Sequence, residues 1–448
     1  MVEIGSAEQI EIIEISIRSE RFLADKRLYV AGEKNEAPVG VTLEIFEDIW
    51  MPYLTGNLVV HDDNNIYGLV EISGTERVHV RFKSPAADSE IEKIFIISSL
   101  DRAVKVNDSV THLLLELIED HGYFDGLNVI SKSYNGTGDV IIQKILEDNT
   151  NKKIREDTFK SPSQKDMRYI VPWQTPYTAI NTIVNFITTD NSMPYFFYSS
   201  LVSKELILTD LESILEKEAF NKARPFLYSR SGITQDDPLN QVFGIASYDA
   251  KFMHETFHLA RRGAIGSSYE SVDALSGVTI PGRIDMKEQY KELNDANIIN
   301  LNVDKFPIDD RFRIDGEESK SITEYNSKKY STMSAVPYND INSLTPDYLT
   351  TRQIAVKNNF LKHLIDNSFT VVVPGLVFAV NNLDRAVGSQ VKINMIKEHI
   401  SETDSIENDE RRSGTFVMLA KKHVFNILDS THNVVLKVGR ITEPRRIS

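Results

Sequence analysis

The sequence predicts a multi-domain α+β protein in which two β-rich segments flank a middle region of helices and strands. Two observations support this prediction. Short stretches of alternating apolar and polar residues dominate both ends of the chain, whereas apolar residues recur at helical spacing between them. The chain also has 448 residues. At roughly 100 to 200 residues per domain, this length corresponds to two to four domains.

The first segment, residues 1–106, is predicted to consist of short, half-buried strands. Apolar alternation, or an apolar run bounded by turn residues, marks strands at 10–17, 41–46, 57–61, 78–81 and 94–100. Five or six strands at this spacing are typical of a small β-barrel or sandwich.

The middle region, residues 107–222, is predicted to be an α+β unit. Apolar residues recur at helical spacing at 109–120, after two potential N-cap residues, and again at 139–147. A third helix is predicted to begin at Thr175-Pro176, because a capping residue followed by proline is typical of a helix start. Two further apolar runs, separated by a serine-containing turn, predict a β-hairpin at 195–208.

Residues 223–348 are predicted to be a connecting segment that contains a polar insertion. Apolar periodicity fades from Arg261 to Tyr348, and 20 of the 48 residues from Arg283 to Tyr330 are charged. Three interpretations remain open. The insertion is a solvated segment with limited structure of its own, an ordered active-site lid, or a segment that wraps a neighbouring subunit and becomes ordered on assembly.

The last segment, residues 349–448, is predicted to be a helix followed by a second β domain. Apolar residues keep helical spacing at 349–365. Strand patterns follow at 369–373, 377–380, 391–395, 415–419, 424–428 and 434–438. The complete fold class is therefore α+β and multi-domain, with a β unit at each end of a helical middle.

The charge of the chain is uneven. Fifty basic and 65 acidic residues give a net charge of −15, which is the wrong sign for a protein that holds a phosphate backbone. Tight nucleic-acid binding is therefore disfavoured. Residues 1–110 carry a net charge of −9, whereas residues 360–448 carry +2. The two β segments thus differ in charge.

Cysteine is absent, which excludes a disulfide framework, a thiol nucleophile and any zinc site with thiolate ligands. The acidic N-terminus lacks the basic and apolar regions of a secretory signal. The most apolar stretch, residues 369–380, contains Pro374 and Gly375 and is much shorter than the ~20 residues that cross a bilayer. We therefore expect a protein that is made and assembled in a cytosol, without membrane insertion.

One catalytic pattern is present. His254, Glu255 and His258 fit the His-Glu-x-x-His motif of zinc metallopeptidases, in which two histidines on one helix face bind zinc and the glutamate activates a water. Thr256 stands where such enzymes carry a bulky apolar residue, and the nearest candidate third ligand, Glu270, follows only twelve residues after His258. Ordinary polar packing is the competing interpretation, and metallopeptidase is kept as the alternative function.

Other enzyme signatures are missing. The sequence contains no Walker loop, no dinucleotide-binding glycine pattern and no nucleophile elbow. The carboxylate pairs are adjacent in sequence and therefore point opposite ways in extended structure, which favours turn or surface roles. They are Asp62-Asp63, Asp236-Asp237 and Asp309-Asp310. His423 lies at a strand position and is expected to be structural. We therefore assign no catalytic, cofactor-binding or metal-binding residue and expect no cofactor.

Several strings, in order, resemble the baseplate hub proteins of contractile-tailed bacteriophages. The first barrel of that family is matched by 56–62, 69–76 and 78–82, and its middle by the predicted helices, the aromatic-proline stretch 171–177 and the hairpin at 196–210. The family's second barrel is matched by Gly375, 413–419, His423 and 434–440. The resemblance covers residues 8–222 and 350–445, and residues 261–348 match no part of the pattern.

The resemblance implies a non-enzymatic virion protein with two small antiparallel β-barrels per chain. Three chains would form a ring of six barrels that seats the tail tube on one side and a separate central spike on the other. Related hub domains occur in type VI secretion spike proteins. The expected partners are a second and third copy of the chain, the tube protein, the spike protein and other baseplate proteins, with DNA only in transit. The expected location is the tail baseplate, reached from the host cytoplasm during assembly. An adhesin of the tail or its fibres is a third interpretation.

Overall fold

The structure is a computed structural model. It describes residues 8–19, 27–32, 39–62, 72–85, 90–105, 111–155, 159–164, 166–228, 241–250, 256–273, 277–297, 328–334, 348–396, 408–409 and 412–441.

The described residues form twenty strands and seven α-helices. The strands are β1 Glu11–Arg18, β2 Arg27–Gly32, β3 Gly40–Asp48, β4 Thr55–Asp62, β5 Arg77–Lys83, β6 Glu90–Lys105, β7 Thr111–Glu119, β8 Ser133–Gly136, β9 Met167–Ile170, β10 Tyr195–Tyr198, β11 Ile207–Asp210, β12 Phe226–Tyr228, β13 Ser247–Asp249, β14 Gly266–Asp273, β15 Thr279–Asp285, β16 Lys329–Ser334, β17 Ser368–Pro374, β18 Gln390–Met395, β19 Gly414–Asn426 and β20 Thr431–Gly439. The helices are α1 Asp120–Leu127, α2 Gly138–Asn149, α3 Pro176–Phe186, α4 Leu211–Glu216, α5 Thr256–Arg261, α6 Met286–Asp295 and α7 Tyr348–Asp366.

The first seven strands form an antiparallel array in the order β2-β1-β5-β6-β7-β4-β3. Alternate residues of each strand point into one apolar core, which we call the first core. On β5, for example, Val78, Val80 and Phe82 are buried, whereas His79 and Arg81 between them are half-buried. The sequence patterns therefore predicted β1, β3, β4, β5 and part of β6 correctly, whereas β2 was not predicted.

The helix predicted at 109–120 is wrong, because residues Thr111–Glu119 form strand β7 between β4 and β6. Leu113, Leu115 and Leu117 are buried, whereas Glu116 is exposed, which is the period of two of a strand. The run of leucine and isoleucine satisfies the helical and the strand spacing equally well. Pairing with two neighbouring strands decided between them, and the first sheet consequently extends past residue 106.

A second row of strands continues the sheet. β19 pairs with β3, β20 pairs with β19, β17 with β20 and β13 with β17, all antiparallel, so that strands from both ends of the chain share one sheet. β18 also pairs with β19, and β12 pairs with β18 in parallel. The apolar side chains of this row form a second core that contains Val371, Val391, Phe416 and Leu436. We call the β3–β19 pairing the seam.

The α+β unit follows the sequence prediction. Ile141, Ile142, Ile145 and Leu146 of α2 are buried against α3 and the β10–β11 hairpin. Helix α3 begins at Pro176, and the side chain of Thr175 accepts a hydrogen bond from the backbone N–H of Thr178. The predicted capping residue, the proline and the hairpin are all confirmed.

The polar insertion has more structure than a solvated segment. β14 pairs with β15 and β16 to form a three-stranded sheet, and α6 buries Met286, Tyr290 and Leu293. Helix α7, which was predicted at 349–365, packs against this sheet and places Phe360 beside Tyr290 at a ring separation of 5.6 Å. In the described part of the insertion, Glu288, Lys291, Glu292 and Asp295 of α6 are exposed, on the side of the helix away from its buried apolar residues.

Candidate functional site

The strongest polar feature of the seam is a buried ion pair. Glu47 on β3 lies directly opposite Lys421 on β19, with Oε2 2.9 Å from Nζ and side-chain exposures of 0% and 1%. Lys421 also donates a hydrogen bond to the carbonyl of Arg385. Burial alone would raise the pKa of Glu47, but the Lys421 ammonium and the neighbouring His423 outweigh it and hold that pKa far below its usual range. Glu47 is therefore ionised.

Two buried imidazoles extend this cluster. Nδ1 of His423 lies 3.0 Å from Nε2 of His432 on the neighbouring strand β20, and the His432 ring stacks on Phe425 with centroids 4.3 Å apart. Burial lowers the pKa of both histidines. Both rings are therefore neutral near pH 7, and one of the two facing nitrogens donates a hydrogen bond to the other. His423 has the structural role that the sequence predicted.

A second buried cluster ties the first sheet to the α+β unit. Glu119, at the end of β7, lies 2.9 Å from the Nζ of Lys93 and 3.1 Å from Nε2 of His121. The other ring nitrogen of His121 lies 2.7 Å from the hydroxyl of Tyr177 on α3. Burial alone would raise the pKa of Glu119, but Lys93, His121 and the backbone N–H of Leu54 lower it far below its usual range.

Both clusters hold the same turn. The turn 199–203 follows β10, and its Leu201 N–H donates to Oε1 of Glu47 over 2.7 Å. The Ser199 hydroxyl donates to Oε2 of Glu119 over 2.7 Å, and Lys93 donates to the carbonyl of Ser203 over 2.8 Å. The side chains of Leu201 and Val202 enter the first core. This turn therefore connects the α+β unit to both strands that carry the buried carboxylates.

Helix α7 is joined to the α+β unit by two side chains one turn apart. Gln353 accepts a hydrogen bond from Gln164 over 3.1 Å. The ammonium of Lys357 donates to the carbonyl of Asn185 in the last turn of α3, where the helix dipole favours a cation. Burial nevertheless lowers the pKa of Lys357 to about 7.

Replacing Lys357 with methionine should stabilise the protein at pH 7 by at least about 1 kcal/mol. The reason is that a lowered pKa means that Lys357 binds its proton more weakly in the folded state than in the unfolded chain. The unfolded chain binds this proton up to about pH 10, whereas the folded chain releases it near pH 7. The free energy of unfolding of the unmodified protein should therefore increase between pH 7 and about pH 10. The difference in stability between the unmodified protein and the variant should become smaller over the same range. Urea denaturation at pH 7 and pH 9.5 measures this. Lys222→Met, at an exposed lysine, is the matched control, and a difference between wild type and variant that does not change with pH would contradict the assignment.

The α+β unit also exposes a group of large apolar side chains. Leu127 is 70% exposed, Ile170 63% and Trp173 74%. Ile170 and Trp173 are three residues apart in the chain, and Ile130, three residues after Leu127, pairs with Gln174. Trp173 adopts a positive φ of 53°, which is unfavourable for a bulky residue. Exposed apolar groups of this kind mark protein–protein interaction surfaces.

The residues of the metallopeptidase motif are not brought together in the described part of the chain. His254 and Glu255 lie outside the described residues, and His258 is exposed on the six-residue helix α5. The candidate third ligand, Glu270, forms an ion pair with Lys329. Among the described residues no group of three or more histidine, aspartate or glutamate side chains is placed to hold a metal ion.

Of the three carboxylate pairs, only Asp62 lies among the described residues. Asp62 is buried at the end of β4. Its neighbour Asp63 and the pairs Asp236-Asp237 and Asp309-Asp310 lie outside the described residues. Sequence reasoning missed the buried residues Glu47, Glu119 and Lys357, since a charged residue in an amphipathic pattern predicts an exposed position.

In the described part of the chain, no helix has both the length and the apolar content that crossing a membrane requires.

The chain shares its fold with solved bacteriophage tail proteins. A tail protein from Neisseria meningitidis MC58 superposes with a TM-score of 0.54 at 12% identity, over 96% of each chain. The 43 kDa tail protein of prophage MuSo2 from Shewanella oneidensis superposes with a TM-score of 0.50 at 10% identity, over 96% of this chain and 98% of the other. No family model matches the sequence. No curated protein is significantly similar to it.

These comparisons define the class at the level of the fold. The chain shares its fold with these tail proteins, and each superposition covers 96% of its length. The resemblance to the baseplate hub family that the sequence indicated is confirmed at this level.

Proposed function

We propose that this chain is a non-enzymatic structural protein of the virion. In this proposal a homotrimer forms the central hub of a contractile-tail baseplate, joins the tail tube to the central spike and leaves a channel through which DNA passes. It is assembled in the host cytoplasm together with other baseplate proteins. The observation that carries the proposal is the fold shared with tail proteins over 96% of the chain, together with two rows of strands that pack around separate apolar cores.

The first unit has the contacts of a barrel. Its strand row begins with β2 and ends with β3, and the N–H of Val39, just before β3, donates to the carbonyl of Val30 in β2 over 3.1 Å. The first and last strands therefore touch around the first core. This contact supports closure, because a closed row removes the open edges that a free sheet exposes.

The second unit has an equivalent contact. β12 and β13 lie at opposite ends of its row. The segment just before β13 meets β12, because Leu227 N–H donates to Phe243 over 2.8 Å and Ile245 N–H donates to Leu227 over 2.9 Å. Two units with such end-to-end contacts, packed around separate cores and joined at the seam, would suit a ring in which three chains supply six barrels. The division into residues 1–106, 107–222, 223–348 and 349–448 stays part of the proposal, except that β7 extends the first unit to Glu119.

The charge of the chain supports a channel for DNA. A net charge of −15, of which residues 1–110 carry −9, would repel phosphates over a Debye length of about 8 to 10 Å if acidic side chains face the bore. DNA would then pass without binding. A reconstruction of the ring with a positively charged bore would contradict this part of the proposal.

The mass of the protein in solution tests the proposal. Sedimentation velocity of the full chain should show a species of about three times the 50.8 kDa chain mass, alone or after the tube and spike proteins are added. A chain that stays monomeric at high concentration with both neighbours present contradicts a trimeric hub. Binding of carbohydrate together with a monomeric state would favour an adhesin, and zinc-dependent peptide hydrolysis abolished by His258→Ala would favour the metallopeptidase.

A further inference from the structure

Two half-buried imidazoles face each other on the outside of the first sheet. His61 on β4 and His112 on β7 are direct cross-strand partners, and Nδ1 of His61 lies 3.2 Å from Nε2 of His112. Their neighbours Val60 and Leu113 are 1% and 2% exposed and belong to the opposite face of the strands. Because side chains alternate along a strand, both imidazoles point away from the first core.

The separation of the two nitrogens suits a metal ion. Zinc binds histidine nitrogen at about 2.0 to 2.1 Å, and two nitrogens 3.2 Å apart subtend an angle of about 100° at an ion so placed, close to the tetrahedral value. The ring planes are inclined by 57°, so each ring must turn for both lone pairs to meet one ion. Half-buried side chains at the sheet surface can make this adjustment.

The surroundings leave such an ion accessible. On the neighbouring strand β6 the partner of His112 is Val104, whose side chain is 53% exposed. On the other side, the backbone N–H of His61 donates to the carbonyl of Val39. The net charge of −9 on residues 1–110 also attracts cations to this part of the chain.

We propose that His61 and His112 together bind one divalent transition-metal ion of the Zn²⁺, Ni²⁺ or Cu²⁺ class, for which imidazole is a preferred ligand. In this proposal water takes the remaining coordination positions, and among the described residues no third such side chain joins the pair. The ion links β4 to β7 and thereby favours the folded sheet. The buried pair His423 and His432 is no equivalent, because both rings are fully enclosed and His432 is stacked on Phe425.

The proposal is tested by titrating the untagged full chain with ZnCl₂ and NiCl₂ in a calorimeter. One ion per chain should bind, and His61→Gln or His112→Gln should each weaken binding at least about tenfold, because a single imidazole cannot chelate. The His79→Gln variant should bind zinc and nickel with the same affinity as the unmodified protein. His79 is a half-buried imidazole on β5 of the same sheet, with Ser16 and Ile94 as cross-strand partners, and is therefore the matched control.

Thermal denaturation distinguishes an ion held by this pair from an ion bound elsewhere on the chain. The melting temperature in excess ZnCl₂ should rise for the unmodified protein and for His79→Gln, and not for the other two variants. Circular dichroism in EDTA establishes that each variant is folded, and either of the two substitutions suffices if the other prevents folding. Absence of binding at millimolar metal, equal binding of Mg²⁺, or binding lost only on His258→Gln would overturn the proposal.

Discussion

Replacing Lys421 with methionine should lower the free energy of unfolding by about 3–5 kcal/mol, because it leaves the carboxylate of Glu47 charged and buried without its cation. The two charged atoms are 2.9 Å apart and almost fully enclosed. Glu47 also holds the N–H of Leu201, so the loss should loosen the seam and the turn 199–203 together. Urea denaturation gives the size of the effect, and hydrogen exchange in β3 and β19 gives its position.

Two further variants isolate the cause. Lys422→Met removes the next cation on β19, whose partner Glu44 lies 2.6 Å away but is part-exposed, and should cost no more than about 1 kcal/mol. The double variant Glu47→Gln with Lys421→Met should recover at least half of the loss, since no buried charge then remains unpaired. A Lys421→Met protein as stable as Lys422→Met would show that the pair does not hold the seam.

Replacing Glu119 with alanine should have an effect of similar size, about 3–5 kcal/mol, because Lys93 would remain buried without its carboxylate. The backbone N–H of Leu54 and the hydroxyl of Ser199 would also lose their acceptor. The damage should concentrate where the α+β unit meets the first sheet. Limited proteolysis should therefore cut the variant in that region at protease concentrations that leave the unmodified protein intact.

Glu116→Ala is the matched control for this experiment. Glu116 lies on the same strand but is exposed, and its loss should change stability by no more than about 0.5 kcal/mol. Glu119→Gln keeps an acceptor for Leu54 and Ser199 and should fall between the two alanine variants. Equal stability of the Glu116 and Glu119 variants would mean that the cluster contributes no net stability to the junction.

The sequence predicted an element correctly where the interactions that form the element act between residues close together in the chain. Thr175-Pro176 predicted the start of α3, since capping and a fixed proline φ act within one turn of chain. Alternation predicted β3 and β5 because a half-buried strand needs only its own pattern to identify the inner face. The same reasoning failed at Thr111–Glu119, where the leucines satisfy two periods and only neighbouring strands could decide between them.

The sequence by itself predicted two β-rich ends of different charge, the helices α2 and α3 with the cap of α3 at Thr175, and a resemblance to tail hub proteins. Only the tertiary structure decided that β3 and β19, which lie near opposite ends of the chain, share one sheet and bury Glu47 against Lys421. It also decided that His61 meets His112. Such contacts depend on strand pairing between distant segments, and neither residue of a pair carries a local pattern that identifies its partner.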